Sequence, residues 1–333
     1  MTSTAYGDIS PRTAAFASMA MLERAMPFLC MAKFGQQQPI PKNKSQTIKL
    51  RRYNALTPST VPLVEGVTPA PDAITSTDVQ ASLQQYGRRT QITDVIMDTH
   101  EDPVLQQYTE IMGELAGQTM ELIVYNVIKA GTNVLYSGSS NSLRTGVNSA
   151  ITTTVLNRAI RSLKRQNAKL VTRMLAASDK VGTAPIRGGF VAFCHPDCQT
   201  DLEALTGWKD KSEYGTYSVV SDNEIGSYKE IRFCTSTLYA PFLAAGASGS
   251  TLLTNGSTGT GNADVYPIVI VAADSYGTVS LAGNTAVSPV VVNPKPSDSD
   301  PLGQRGHVGF KMWATAIILN DAWMVRVETG VNQ

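Results

Sequence analysis

Apolar positions along this chain fall into two periods, and each predicts a different kind of element. Residues 103–130 carry the clearest helical spacing. Leu105, Tyr108, Met112, Leu115, Thr119, Leu122 and Val127 mark one broad face. Asp102 suits an N-cap and Pro103 the first helical position. Glu110, Glu114 and Glu121 lie on the N-terminal side of Lys129, and Gly131 supplies the stop. An unbroken helix over 103–130 is roughly 42 Å long. That exceeds the usual helix of a compact domain, so a long sheet or a neighbouring molecule has to cover it. Gly113 and Gly117, four apart, read as close backbone packing.

Two further helices follow from the same period. Residues 11–31 place Phe16, Met19, Met21, Leu22, Met26 and Leu29 at loosely helical spacings, with a kink expected at Pro27. From Thr154, the run TVLNRAIRSLKRQNAK turns Leu156, Ala159, Ile160 and Leu163 inward and Arg158, Arg161, Lys164, Arg165 and Lys169 outward.

Alternation by two marks the strands. Ile48 and Leu50 oppose Lys49 and Arg51, and Val79, Ala81 and Leu83 oppose Gln80, Ser82 and Gln84. Between these runs lie Pro58, Pro62, Gly66, Pro69 and Pro71, too long and Pro-rich for a tight turn. The segment reads as an extended hairpin with a poorly packed tip. Phe190–Cys194 is a short buried strand, followed by a Pro-started turn and a helix to about Leu205. Residues 229–238 and 265–273 are further strands, and the unbroken apolar run YPIVIVAAD predicts burial on both faces. The segment 305–330 reads as two strands turned at Asn320–Asp321. Residues 244–264, rich in Gly, Ser, Thr and Asn, read as an exposed flexible loop, and 289–303 as a Pro-rich crossing.

Composition changes this picture in three ways. With 42% apolar and 17% charged residues among 333, the chain is long enough for one large domain or several smaller ones. A net charge of only +1 argues against a bulk nucleic-acid-coating role. That figure hides an asymmetry. Residues 1–200 hold 20 Lys and Arg against 14 Asp and Glu, whereas 201–333 hold 8 against 13. Oppositely charged portions let copies of a chain attract one another. The expected contacts set Arg158, Arg161, Lys164, Arg165 and Arg173 against Asp201, Glu203, Asp210, Glu213, Asp222 or Glu224. The other reading of the basic stretch 154–173 is nucleic-acid binding, although it lacks interleaved aromatics and any DNA-reading motif.

Four cysteines are too few for a disulfide scaffold and suggest a reducing origin. No apolar run approaches the roughly 20 residues of a membrane span. Glu23 and Arg24 interrupt the only stretch resembling a signal peptide, so none is expected. The search for chemistry finds no Walker loop, no G-x-S-x-G and no H-E-x-x-H. GSTGTG at 256–261 lacks the following Lys, and Ser221-Asp222-Asn223 stands without its partner motifs. Cys194-His195-Pro196-Asp197-Cys198 holds zinc-type ligands, but a single C-x-x-x-C is a weak signal beside a buried strand and a His-Pro turn. No catalytic residue, metal or cofactor is expected.

Five segments carry a resemblance: KFGQQQPIPKNKSQTIKLRRY; LVEGVTP; YGRRTQITD; DPVLQQYTEIMGELAGQTMELIVYNVIKAGTNVLYSG; and DPLGQRGHVGFKMWATAIILNDAWMVRVETG. Together they resemble the major coat protein family of coliphage N-four and its relatives, across roughly 12–240 and 264–330. The resemblance implies a Hong Kong 97-type α+β coat fold. It implies an N-terminal arm (1–35), an extended loop (36–90), a peripheral domain (91–187) with a spine helix at 103–130, and an axial domain (188–290). A linker and return strands to the peripheral sheet would follow (291–333). It further implies a virion protein assembled in the host cytoplasm. Its partners would be its own copies in hexamers and pentamers, separate scaffolding, portal and cement proteins, and packaged double-stranded DNA. No membrane or cofactor is implied.

Overall fold

The computed structural model describes residues 29–54, 56–99, 104–138, 142–171, 188–214, 219–248, 251–254, 261–281, 287–296 and 300–333. Its core is two sheets bridged by one long helix, with a two-stranded ribbon whose base packs on the first sheet and whose tip protrudes. Most of the amphipathic segment 11–31 lies outside the described residues, as do Asp102, Pro103 and Arg173.

The first sheet contains β1 (Gln36–Ile40), β4 (Gln84–Thr93), β11 (Tyr276–Leu281), β12 (Val287–Val292) and β13 (Arg305–Ile318). Strand β13 is its axis, pairing antiparallel with β4, β11 and β12. At 14 residues it is about 45 Å long. The long helix α3 (Val104–Ile128) is about 37 Å and lies along it. Met112 and Ala116 of α3 pack on Ile92, Val308, Phe310 and Met312, alternate residues of the facing strands. The cover that the helix length demanded is therefore this strand.

The second sheet runs β5 (Val134–Tyr136), β14 (Met324–Thr329), β10 (Tyr266–Val271), β6 (Phe190–Cys194), β9 (Ile231–Thr235), β8 (Glu224–Tyr228), β7 (Trp208–Asp210). Helix α4 (Thr153–Arg165), capped by the Thr152 hydroxyl on the Val155 N–H, buries Val155, Leu156, Ala159, Ile160 and Leu163 on one face. On the other face lie Val124, Tyr125 and Ile128 of α3, with Met31 and Ala32 of the short helix α1 (Met31–Phe34). Strands β6 and β10 are covered on both sides, which is why their residues are apolar without alternation.

Strands β2 (Thr47–Tyr53) and β3 (Ser76–Ser82) pair only with each other, Ile48 opposite Ala81 and Leu50 opposite Val79. The hairpin is thus narrower than 36–90, because β1 and β4 belong to the first sheet.

Four other expectations need correction. The fully buried stripe of α3 holds Val104, Thr109, Met112, Gly113, Ala116, Gly117, Glu121, Val124, Tyr125 and Ile128, which is turned from the predicted face and shares Met112 with it; Leu105, Tyr108, Leu115 and Val127 pack at its margins and Leu122 is exposed. The helix is apolar on both sides, so spacing alone chose wrongly. The segment 305–330 does not return to one sheet. Its turn at Asn320–Asp321 is a crossing, with β13 in the first sheet and β14 in the second. Residues 276–292 likewise leave the second sheet as β11 and β12. Finally, the described parts of 244–264 are not a free loop. Leu252, Ala263 and Asp264 are buried, Asp264 accepts the Ala244 N–H at 2.7 Å, and the Leu253 N–H reaches Val331. Leu252 presses on Gly330, where any side chain would collide with it. The two leucines anchor a segment whose polar composition concealed them.

Candidate assembly interface

Three surfaces are candidate contacts, distinguished by their exposure and by the partners they have within the subunit. The first is the hairpin tip. Residues 56–75 are exposed throughout, and their apolar members are bare, with Val61 77% and Leu63 78% accessible. The Pro-rich sequence denies this stretch regular pairing, and it lies beyond the reach of either core. Exposed apolar side chains on a protruding ribbon make it a candidate contact surface.

The second is the outward side of α4. Arg158, Arg161, Lys164 and Arg165 are all exposed there, brought into one row by helical spacing. Lys164 already meets Glu230 of its own subunit at 2.7 Å. Among the described residues no ion pair engages Arg158, Arg161 or Arg165. The third comprises the predicted acidic partners. Glu203, Glu213 and Asp222 are exposed. Asp201 and Asp210 are half-buried and serve locally. Asp201 accepts the backbone and side-chain N–H groups of Asn332 at 3.0 and 2.7 Å, and Asp210 accepts the Ser212 N–H at 2.8 Å, which holds its carboxyl below the usual range. Glu224 is not available at all. It is buried, accepting from Arg232, the Tyr214 hydroxyl and the Val220 N–H.

Behind these surfaces, buried carboxylates join the elements. Glu328 of β14 receives Arg144 at 2.7 and 2.8 Å and Arg326 at 2.8 Å. The Arg326 guanidinium also donates to the carbonyls of Lys129 and Gly131, closing the C-terminal end of α3. Arg144 stacks on Phe242 at 3.5 Å. Burial, then the nearby Arg144 and Arg326, push the Lys129 ammonium below its ordinary value. The cluster ties the long helix to the second sheet. Sequence reading took Glu121 for a charge of the helix N-terminal side and Glu224 for a contact acid, and missed Glu328; all three are buried. The available signal was an acid inside an apolar run, as in Met120-Glu121-Leu122-Ile123-Val124 and Val325-Arg326-Val327-Glu328.

The Cys194–Cys198 turn offers no ligand geometry. Both thiols are buried, and burial pushes each well above the ordinary thiol range. His195 Nδ1 instead faces Asp197 at 3.0 Å. Among the described residues no three His, Cys, Asp or Glu side chains converge as a metal site. No described helix is long and apolar enough to cross a membrane.

Comparison with known proteins agrees with a shell subunit. The structure is similar to the capsid of Ralstonia phage GP4, with a TM-score of 0.65 at 10% identity over 90% of this chain and 88% of that one. The capsid of Cyanophage P-SCSP1u gives 0.56 at 14% identity, over 90% and 87%. The SrpI encapsulin complex of Synechococcus elongatus gives 0.53 at 9% identity, over 100% and 92%. Among curated protein sequences none matches. The fold is α+β of the Hong Kong 97 type, shared by phage capsids and that encapsulin. A family model described as phage capsid protein matches residues 76–326, from the start of β3 into β14. On that match the chain belongs to the phage capsid protein family.

Proposed function

We propose that this protein is the major coat subunit of a tailed phage of the coliphage N-four kind, and that it assembles as hexamers and pentamers into an icosahedral shell around double-stranded DNA. It is a structural subunit, not an enzyme. The N-terminal residues to about 35 serve as the arm, the β2–β3 ribbon as the extended loop, α3 with the first sheet as the peripheral domain, and the second sheet as the axial domain. Its partners are other copies of itself, together with separate scaffolding, portal and cement proteins and the packaged DNA.

The observation that carries this reading is the ribbon. Its tip exposes Leu56, Val61, Leu63, Val64, Val67 and Ile74, which no other described residue covers. Burying such side chains against a neighbour is worth about 1.5–3 kcal/mol each when complete. Limited proteolysis tests it directly. Residues 54–75 are cut in the free subunit and protected once light scattering shows large particles. Equal cutting before and after assembly contradicts the role of the tip between subunits.

A further inference from the structure

Glu121 lies one third of a turn from exposed Leu122, yet is fully buried. Its carboxylate faces the place where the N-terminal segment joins the body. Oε1 accepts the Met31 N–H at 2.6 Å and the Tyr239 hydroxyl at 2.5 Å. Oε2 accepts the N–H groups of Cys30 and Ala32, each at 3.2 Å. On the other side of the same short segment, the Tyr276 hydroxyl donates to the Met31 carbonyl at 2.5 Å. Tyr276 belongs to β11 of the first sheet, and Tyr239 follows β9 of the second. One carboxylate therefore gathers the root of the N-terminal segment, the long helix and both sheets at a single point.

The chemistry of the cluster is unusual for a buried charge. Among the described residues no Lys or Arg pairs with Glu121; its partners are neutral donors. Burial pushes its carboxyl above the ordinary range, and the four donors oppose that push. Arg144, Arg232 and Arg326, by contrast, secure the buried carboxylates of Glu224 and Glu328 through ion pairs. Glu121 is thus the one side-chain acceptor shared by the N–H groups of residues 30–32, beside the Tyr276 hydroxyl on the Met31 carbonyl and the apolar packing of the same three residues. Strand pairing begins only at Gln36, so the ladder of β1 does not replace that hold.

We infer that Glu121 is a latch, a positioning residue that holds residues 30–32 between the long helix and the two sheets, and that assembly with neighbouring subunits depends on that hold. The second half of this inference rests on the shell reading above; the latch itself does not. Opening the latch frees the root while both sheets stay folded, because the second sheet keeps its α4 face and the first keeps its contact with α3.

Cys30 is a built-in reporter. It is wholly buried under the latch, beside Tyr239 and Cys234, whereas Cys198 lies in the core on the α4 side of the second sheet together with Cys194. The experiment is maleimide labelling of the purified subunit, mapped by peptide mass, in wild type, Glu121→Gln, Glu121→Ala and Tyr239→Phe. Glu121→Gln should label Cys30 at least about tenfold faster than wild type, with Cys194 and Cys198 as protected as before; this is the size of change that loss of a charge-assisted acceptor produces. Tyr239→Phe, which removes one donor of four, should fall between. Unchanged Cys30 labelling in all three variants overturns the latch. So does a parallel rise at Cys30, Cys194 and Cys198, since Glu121 would then merely hold the whole fold. Tyr239→Phe decides the matter if the Glu121 variants do not fold. In parallel, under conditions where wild type forms particles, Glu121→Gln should assemble at least about tenfold more slowly. Normal assembly with a labelled Cys30 overturns the positioning role. If wild type forms no particles under any condition, the shell reading fails, and the labelling result still judges the latch.

Discussion

Replacing Glu328 with alanine should lower the unfolding free energy of the subunit by about 3–5 kcal/mol, the usual cost of removing one partner from a buried ionic cluster. The carboxylate is fully buried on β14, between the guanidiniums of Arg144 and Arg326. Its loss strands Arg326, which is itself nearly buried and whose remaining partners are the carbonyls of Lys129 and Gly131. The closure of the long helix onto the second sheet weakens with it. Glu328→Gln keeps the shape and one set of contacts, and should cost less. Chemical denaturation of the purified subunit reads both through the shift in midpoint at constant slope. A loss below about 1 kcal/mol for the alanine variant would place the strength of that junction elsewhere.

The second large effect concerns assembly rather than stability. Arg158, Arg161 and Arg165 are exposed on α4 with no ion pair to an acid among the described residues, while Lys164 is occupied by Glu230. We propose that this row faces the exposed acids of the next subunit, Glu203, Glu213 and Asp222 first, with Asp201 and Asp210 at the margin. Neighbours in a ring meet through unlike surfaces, so a basic edge can face an acidic one. Each exposed pair contributes only about 0–1 kcal/mol, and the effect falls mainly on register and rate. The triple variant Arg158→Glu, Arg161→Glu, Arg165→Glu should slow formation of empty shells by about tenfold or more, the scale on which steering changes association. Wild-type assembly should slow as salt shortens the screening length below roughly 8–10 Å. Lys164→Ala, which loses a pair inside the subunit, should change assembly little. If the triple variant assembles empty shells at the wild-type rate and loses only DNA packaging, this row faces nucleic acid instead.

Much of the fold was legible because it depends on local period. The inward residues of α4, the unalternating strands β6 and β10 and the paired β2–β3 ribbon all follow from spacing that nearby residues enforce. What depended on distant partners was not legible. Strands β13 and β14 are separated by five residues yet lie in different sheets, and no local pattern distinguishes that crossing from a hairpin. The face of α3 was placed off centre because Leu105, Tyr108 and Leu115 pack at the margin of the buried stripe, whose middle is held by Gly113, Ala116, Gly117 and Glu121, residues that carry little hydrophobic signal. The exposed tip and the basic row of α4 were visible in composition. The buried carboxylates at 121, 224 and 328 were not, since helix and strand patterns assign a charged residue to solvent. Glu121 and Glu328 are inside because donors from remote segments converge on them, and Glu224 because Tyr214, Val220 and Arg232 fold around it.

The central claim is that many copies of this chain close into a shell, and electron microscopy of the purified, expressed protein tests it most directly. The account predicts closed shells, or tubes and rings of five and six subunits when scaffold is lacking, with the tip of the β2–β3 ribbon resting on an adjacent copy. A compact monomer at every concentration and salt, with or without scaffold, would contradict it.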